Sequence, residues 1–188
     1  QKGWFEVQDE GSQLAALMVA AKPGEQVLDL CAGAGGKTLA LSAMMANKGQ
    51  IFATDRDRMR LAPIYDRVKR AGARNIQIRE AGASLETLEG HMDAVLVDAP
   101  CTGTGIWRRR PDAKWRLTDR AVVERIDDQR AVLAESARYV KPGGRLVYVT
   151  CSLLPEEDGD QADAFTAAHP EYAALPGAEI IAAAAATP

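Results

Sequence analysis

The sequence predicts an α/β fold, a doubly wound, mostly parallel sheet flanked by helices. Three observations carry that expectation. Apolar runs of strand length recur five times, at Gln26 to Leu30, Gln50 to Asp55, Asn75 to Glu80, Asp93 to Val97 and Arg145 to Thr150. Stretches with helical spacing lie between them, and glycine-rich or Lys-Pro-Gly turns punctuate the alternation. At 188 residues, 47% hydrophobic and 26% charged, the chain has the size and composition of one ordinary domain, taken as residues 1–188.

Each element has a local reason. Ser12 is a good N-cap for a short helix of Leu, Ala and Met from Gln13 to Ala21, and Lys22-Pro23-Gly24-Glu25 turns the chain into the first strand. Cys31 to Thr38, CAGAGGKT, is a glycine-rich loop that runs into a helical pattern from Leu39 to Met45. The second strand ends on Asp55. A basic amphipathic helix is expected from about Arg58 to Arg70, stopped near Gly72, and Ala83 to Gly90 reads as a short helix or loop.

The fourth strand delivers Asp98, Pro100 and Cys101 into a glycine-flanked loop. Thr118 or Asp119 can cap a long helix to Tyr139, in which Val122, Ile126, Leu133, Ala137 and Val140 keep helical spacing with Gln129 on the same face. Lys141-Pro142-Gly143-Gly144 is expected to end that helix. The fifth strand leads straight to Cys151, a further helix spans about Gly159 to His169, and the alanine-rich end shows no strand. The abrupt start and the tail from Ala182 to Ala186, Thr187 and Pro188 read as a fragment cut from a longer protein.

Composition excludes several classes. No window approaches the roughly 18 uncharged apolar residues of a membrane span, and the opening QKGWFEVQDEGSQ lacks a signal-peptide layout, so a cytoplasmic protein is expected. Three cysteines without close pairing argue against a disulfide framework or a CxxC metal or redox site, and His91 and His169 have no metal-ligand spacing. The thiols are expected to be free and no metal is expected. The formal charge of −3 does not by itself suggest a nucleic-acid binder. Its distribution does: Trp107 to Arg116 carries five basic residues, Arg108, Arg109, Arg110, Lys114 and Arg116, while Glu156, Glu157, Asp158 and Asp160 cluster after Cys151.

Two thiols end two strands. Ligands of open α/β sheets sit beyond the carboxyl ends of the strands, so Asp98, Cys101 and Cys151 fall in the expected site, and neighbouring strands would turn both sulfurs into one cleft. A single cysteine at a strand end is more often a small buried hydrophobe. Cys31, before the glycines, is read that way, with its backbone near a ligand.

Glycines between a first strand and a helix let backbone N–H groups approach a ligand, and an acid about 20 residues on, here Asp55 after Gly35, can take both hydroxyls of a ribose. A nucleoside-containing ligand is expected. A P-loop would need glycine where Cys31 stands, and the dinucleotide fingerprint would need a third glycine where Thr38 stands. A tight turn without ligand remains the plain alternative.

Taken together, DLCAGAGGKT, TDRDRMR, DAPCTGTG, RRRPDAKW and TCSLLPEED resemble the Sun family of RNA cytosine 5-methyltransferases, from EVQDEGSQ to the helix after Cys151. The resemblance implies a Rossmann-like fold that binds S-adenosylmethionine through Cys31, Ala32, Gly33, Ala34, Gly35, Gly36 and Lys37, with the ribose on Asp55 and further contacts from Arg60 and Asp98. It implies Cys151 as nucleophile and Cys101 as the thiol that assists release, acting on RNA, ribosomal RNA foremost. Ala34 stands where the family usually has proline, the run from Glu80 to Ala83 lacks the usual acid after the third strand, and Asp158 replaces an asparagine. The family's N-terminal RNA-binding region and last strands are expected to be missing from this fragment.

The chemistry explains the residue types. Carbon 5 of cytosine is a poor nucleophile until a thiolate adds at carbon 6 and makes the ring an enamine. Asp98, protonated or sharing a proton, can stabilise the charge that builds at N3, and Lys37 can lower a thiol pKa or orient Asp98. Trp107, Trp115 or Tyr148 can shelter a base taken out of its stack, and the basic run can hold the RNA backbone. Two alternatives stay open: an exocyclic-amine methyltransferase, which leaves Cys151 idle, and a non-catalytic RNA-binding module of the same fold.

Overall fold

The computed structural model describes residues 3–185. Ala186, Thr187 and Pro188, assigned above to a cut end, lie outside the described residues. Five strands form one parallel sheet in the order β3-β2-β1-β4-β5: β1 Gln26–Asp29, β2 Gln50–Ala53, β3 Ile76–Ile78, β4 Met92–Asp98 and β5 Val140–Val149. This is the expected doubly wound α/β sheet.

Its two faces follow from the two-residue period of a strand. Val27, Ile51, Ala94 and Leu96 pack on one face with Leu41 of α2 (Gly36–Met44), with Met45, which caps that helix, and with Val19, which caps α1 (Glu10–Met18). Leu28, Phe52, Val95 and Val97 pack on the other with Val132 of α5 (Asp119–Ala137). Because β1 and β4 are buried on both faces, they read in sequence as unbroken apolar runs rather than alternating ones.

Several boundaries differ from the sequence-based expectation. Asp9, not Ser12, caps α1, with its carboxylate accepting from the Gly11 N–H at 3.2 Å. The hydroxyl of Ser12 accepts instead from Gln8. The basic helix is two helices, α3 Arg58–Leu61 and α4 Ile64–Ala71, because Pro63 has no N–H to continue the ladder; Gly72 ends α4 in the left-handed region as expected. Asp57 caps α3 by accepting from Met59 and Arg60.

The largest correction is at Lys141 to Gly144. These residues do not end α5, which stops at Ala137, but bulge out within β5. The ladder pairs Met92 with Val140 and resumes at Ala94 with Arg145. Gly143 adopts φ +75, and a Cβ on Gly144 would lie 2.9 Å from the carbonyl oxygens of Lys141 and Met92, so both glycines are required by the bulge. Beyond β5, α6 spans Gly159–Ala168, and the alanine-rich end is a helix, α7 Gly177–Ala185, that lies against α1.

Candidate active site

Strand order reverses between β1 and β4, which opens a crevice at the carboxyl ends of these strands. The loops after β1, β4 and β5 leave the sheet side by side there. Parallel pairing of Asp98 with Val149 starts the last two loops in register, and it brings Cys101 Sγ and Cys151 Sγ to 3.3 Å. The backbone N–H of Cys151 also donates to Cys101 Sγ at 3.4 Å. Gly105 has a steric cause: a Cβ there would meet the Cys151 carbonyl oxygen at 2.8 Å, where Gly105 now donates its own N–H.

Contact between the sulfurs polarises the pair. The Cys101 thiol, donating to its neighbour, holds Cys151 down to about 7 against the opposing effect of burial, and the positive charge of Lys37 helps. Cys101 is correspondingly pushed up, first by that hydrogen bond and then by burial. Of the two sulfurs, the more exposed Cys151 is the one favoured to ionise first, while Cys101 keeps its proton.

Lys37 lies in the first turn of α2, where a cation is unfavourable at the positive end of the helix dipole. Asp98 offsets this: Lys37 Nζ donates to Asp98 Oδ2 at 2.6 Å, with the lysine side chain only 12% exposed. The pair stands where two cavities meet. A cleft of about 190 Å3, lined by Asp29, the loop residues Cys31 to Ala34, Gly36 and Arg60, shares Lys37 and Asp98 with a groove of about 710 Å3 that reaches Cys151.

The smaller cleft suits a nucleoside ligand. Gly35 caps α2 at φ +82, and a Cβ there would strike Ile64 Cγ1 at 2.4 Å. Gly33, also at positive φ, donates its N–H to Asp55 Oδ2 at 2.9 Å, while Asp57 N–H donates to Oδ1 at 2.8 Å. Asp55 is thus locked in one orientation directly behind the loop, next to the residues that line the cleft, and each oxygen keeps an unused lone pair. Asp29, a residue missed in the sequence, lines the cleft with its buried Oδ1 unpartnered, and burial pushes its carboxyl up to about 7. An orphaned acceptor beside a backbone cradle fits a ligand carrying donors, as S-adenosylmethionine does. Asp55→Ala is expected to weaken S-adenosylmethionine binding ~10- to 100-fold, about 1.4–3 kcal/mol. An unchanged calorimetric Kd would remove Asp55 from the ribose.

Cys31 packs its side chain against the core, and burial pushes its thiol up to about 12. The basic run forms an exposed loop of short 3-10 turns. Arg108 and Arg109 line the groove that holds Cys151; Arg109 pairs with Asp9 at 3.2 Å and Arg116 with Asp112 at 2.6 Å. Exposed pairs of this kind are worth little, ~0–1 kcal/mol, and a phosphate can displace the carboxylate. Lys114 lies over the rings of both Trp107 and Trp115, the latter 82% exposed, while Arg110 is exposed at the start of the second turn. Tyr148 is not in the groove: it packs on the core, and its hydroxyl donates to the Glu157 carbonyl at 2.7 Å.

In sequence Glu157 is one of four acids that cluster after Cys151; in the structure it is fully buried at 0% exposure and accepts from Thr102, Ser152 and Gln129. Its local sequence carried no signal beyond the hydroxyl residues beside each thiol. Among the described residues, no cluster of His, Cys, Asp and Glu is arranged to hold a metal, and no helix is long and apolar enough to cross a membrane.

Residues 16–183 match the family model described as 16S rRNA methyltransferase RsmB/F. Ribosomal RNA small subunit methyltransferase B of Klebsiella pneumoniae (strain 342) is 41% identical over 172 residues, 90% of this chain and 40% of that protein. The protein of the same name from Salmonella newport is 41% identical over 174 residues, 92% of this chain and 40% of that one. The chain therefore spans about two fifths of the length of these curated relatives. Among solved structures, PH0851 superposes with a TM-score of 0.86 at 42% identity, covering 91% of this chain and 39% of that one. NSun6 from Pyrococcus horikoshii, solved with SFG, an analogue of S-adenosylmethionine, gives 0.78 at 29% identity over 89% of this chain and 43% of that one.

Proposed function

Because the chain belongs to the RsmB/F family of 16S rRNA methyltransferases, whose cofactor is S-adenosylmethionine, we propose that it methylates carbon 5 of cytosine in RNA through a covalent cysteine adduct. Ribosomal RNA in the cytoplasm is the proposed substrate. The observation that carries this reading is the pair of sulfurs, 3.3 Å apart, in a groove that shares Lys37 and Asp98 with the nucleoside cleft.

Bound S-adenosylmethionine supplies an electrophilic methyl group. Residues 31–37 and Arg60 hold it, and Asp55 orients its ribose. The Cys151 thiolate adds to carbon 6 of the base, and the displaced π electrons make carbon 5 nucleophilic. As charge develops at N3, Asp98 relays a proton to it from the paired Lys37 ammonium, and the proton returns by the same route when Cys151 leaves. Once bonded to carbon, the Cys151 sulfur no longer carries the charge that held the Cys101 proton. Cys101 then loses that proton to water and takes the one on carbon 5, and the released electron pair expels Cys151. The target base must leave its stack to reach the groove, and the arginines at its rim would hold the flanking phosphates. Mass spectrometry of nucleosides from RNA incubated with the full-length protein and methyl-labelled cofactor tests this directly. Labelled 5-methylcytidine is expected; label only on an exocyclic amine would overturn the reading.

A further inference from the structure

Glu157 has no part in the chemistry above, yet it is a carboxylate buried at 0% exposure. Such burial is costly unless both oxygens are hydrogen-bonded, so the donors around it explain its position. They come from three separate pieces of chain. Thr102, next to Cys101, donates its backbone N–H at 2.8 Å to Oε1 and its hydroxyl to Oε2. Ser152, next to Cys151, donates its hydroxyl to Oε2 at 2.5 Å. Gln129 of α5 donates Nε2 to Oε1 at 3.0 Å, and the same nitrogen reaches the carbonyl of Pro100, on the other side of Cys101, at 2.9 Å. One carboxylate therefore grips the immediate neighbours of both thiols.

We propose that Glu157 is a positioning residue: by clamping Thr102 to Ser152 through one carboxylate, it holds the Cys101 and Cys151 sulfurs in contact. The proposal rests on the two-thiol reading. An S–H to thiolate contact weakens steeply as the sulfurs separate, so a loosened clamp acts on Cys151 without touching the substrate.

The test is the pH dependence of iodoacetamide alkylation at Cys151, followed by peptide mass spectrometry in the full chain, which needs no RNA. The wild-type midpoint is expected at about 7. In Glu157→Ala it should rise by one unit or more toward the ordinary thiol value, ~8.5. The kcat on RNA should fall on the order of 100-fold, with KM changed less than about threefold. Glu157→Gln keeps one acceptor oxygen and offers donors to the two hydroxyls, and it should restore most of both quantities. A merely structural role would lower Tm and leave the midpoint of the folded protein in place, and a folded Glu157→Ala with the wild-type midpoint would overturn the proposal. Should that variant not fold, Thr102→Val, which deletes one donor, must raise the midpoint, and no rise would count equally against it. If the wild type forms no 5-methylcytosine but the midpoint moves, the functional reading fails and the clamp stands. A wild type that forms it, with an unmoved midpoint, shows the reverse.

Discussion

Cys151→Ala should lower methyl transfer to RNA by ~10,000-fold or more while leaving S-adenosylmethionine affinity within about twofold of wild type. The asymmetry follows from where the sulfur sits. Cys151 lines the larger groove, whereas the nucleoside cleft is walled by other residues and meets that groove at Lys37 and Asp98. On the proposed mechanism, removing the sulfur would delete the bond to carbon 6 but no wall of the smaller cleft. Label transfer measures the first quantity and calorimetry the second; turnover retained in the variant would show that another group activates the base. The same sulfur sets the pH profile. With Cys151 held at about 7, chiefly by the Cys101 hydrogen bond, the thiolate fraction and the rate rise with pH through that value and level off above it. A rate that fell across this range would contradict a thiolate nucleophile.

Cys101→Ala should have a different and equally large effect, the accumulation of a protein–RNA adduct stable to denaturing gels, with steady-state turnover lowered on the order of 1,000-fold. On the proposed mechanism, Cys151 can still add to carbon 6 and carbon 5 of the adduct can still take the methyl group, but the proton on carbon 5 has lost its acceptor, so the carbon–sulfur bond persists. The variant also loses the largest influence lowering the Cys151 pKa, so adduct formation should shift to more alkaline pH. Gel shift and single-turnover label transfer at several pH values measure both effects. No adduct at alkaline pH, with substrate and cofactor present, would count against Cys101 as the releasing group, and an adduct in the double variant lacking both thiols would show attachment elsewhere.

Much of the fold was legible because its signals are local. Five strand-length apolar runs, the glycine loop after the first, and Thr118 at the start of α5 depend on neighbours a few residues away, and each lies close to where it was expected, except that β5 begins at Val140 rather than Arg145. Local signals also misled where two devices competed. Pro63 interrupts an otherwise continuous helical pattern, Asp9 and Ser12 are both good caps, and Lys-Pro-Gly-Gly serves a bulge inside a strand as readily as a helix stop.

By itself, the sequence determined which residues could react: an acid and a thiol at the end of one apolar run, a second thiol at the end of another, and a glycine loop able to admit a nucleoside. Only the tertiary structure decided that they stand together. The contact of Cys101 with Cys151 needs β4 and β5 to be neighbours in register, the Lys37–Asp98 pair needs β1 to lie beside β4, and the burial of Glu157 needs both thiol loops and α5 to close over it. Strand order and burial arise from packing between segments distant in the chain. One of four acids clustered in sequence can therefore lie buried between two loops, hydrogen-bonded to both.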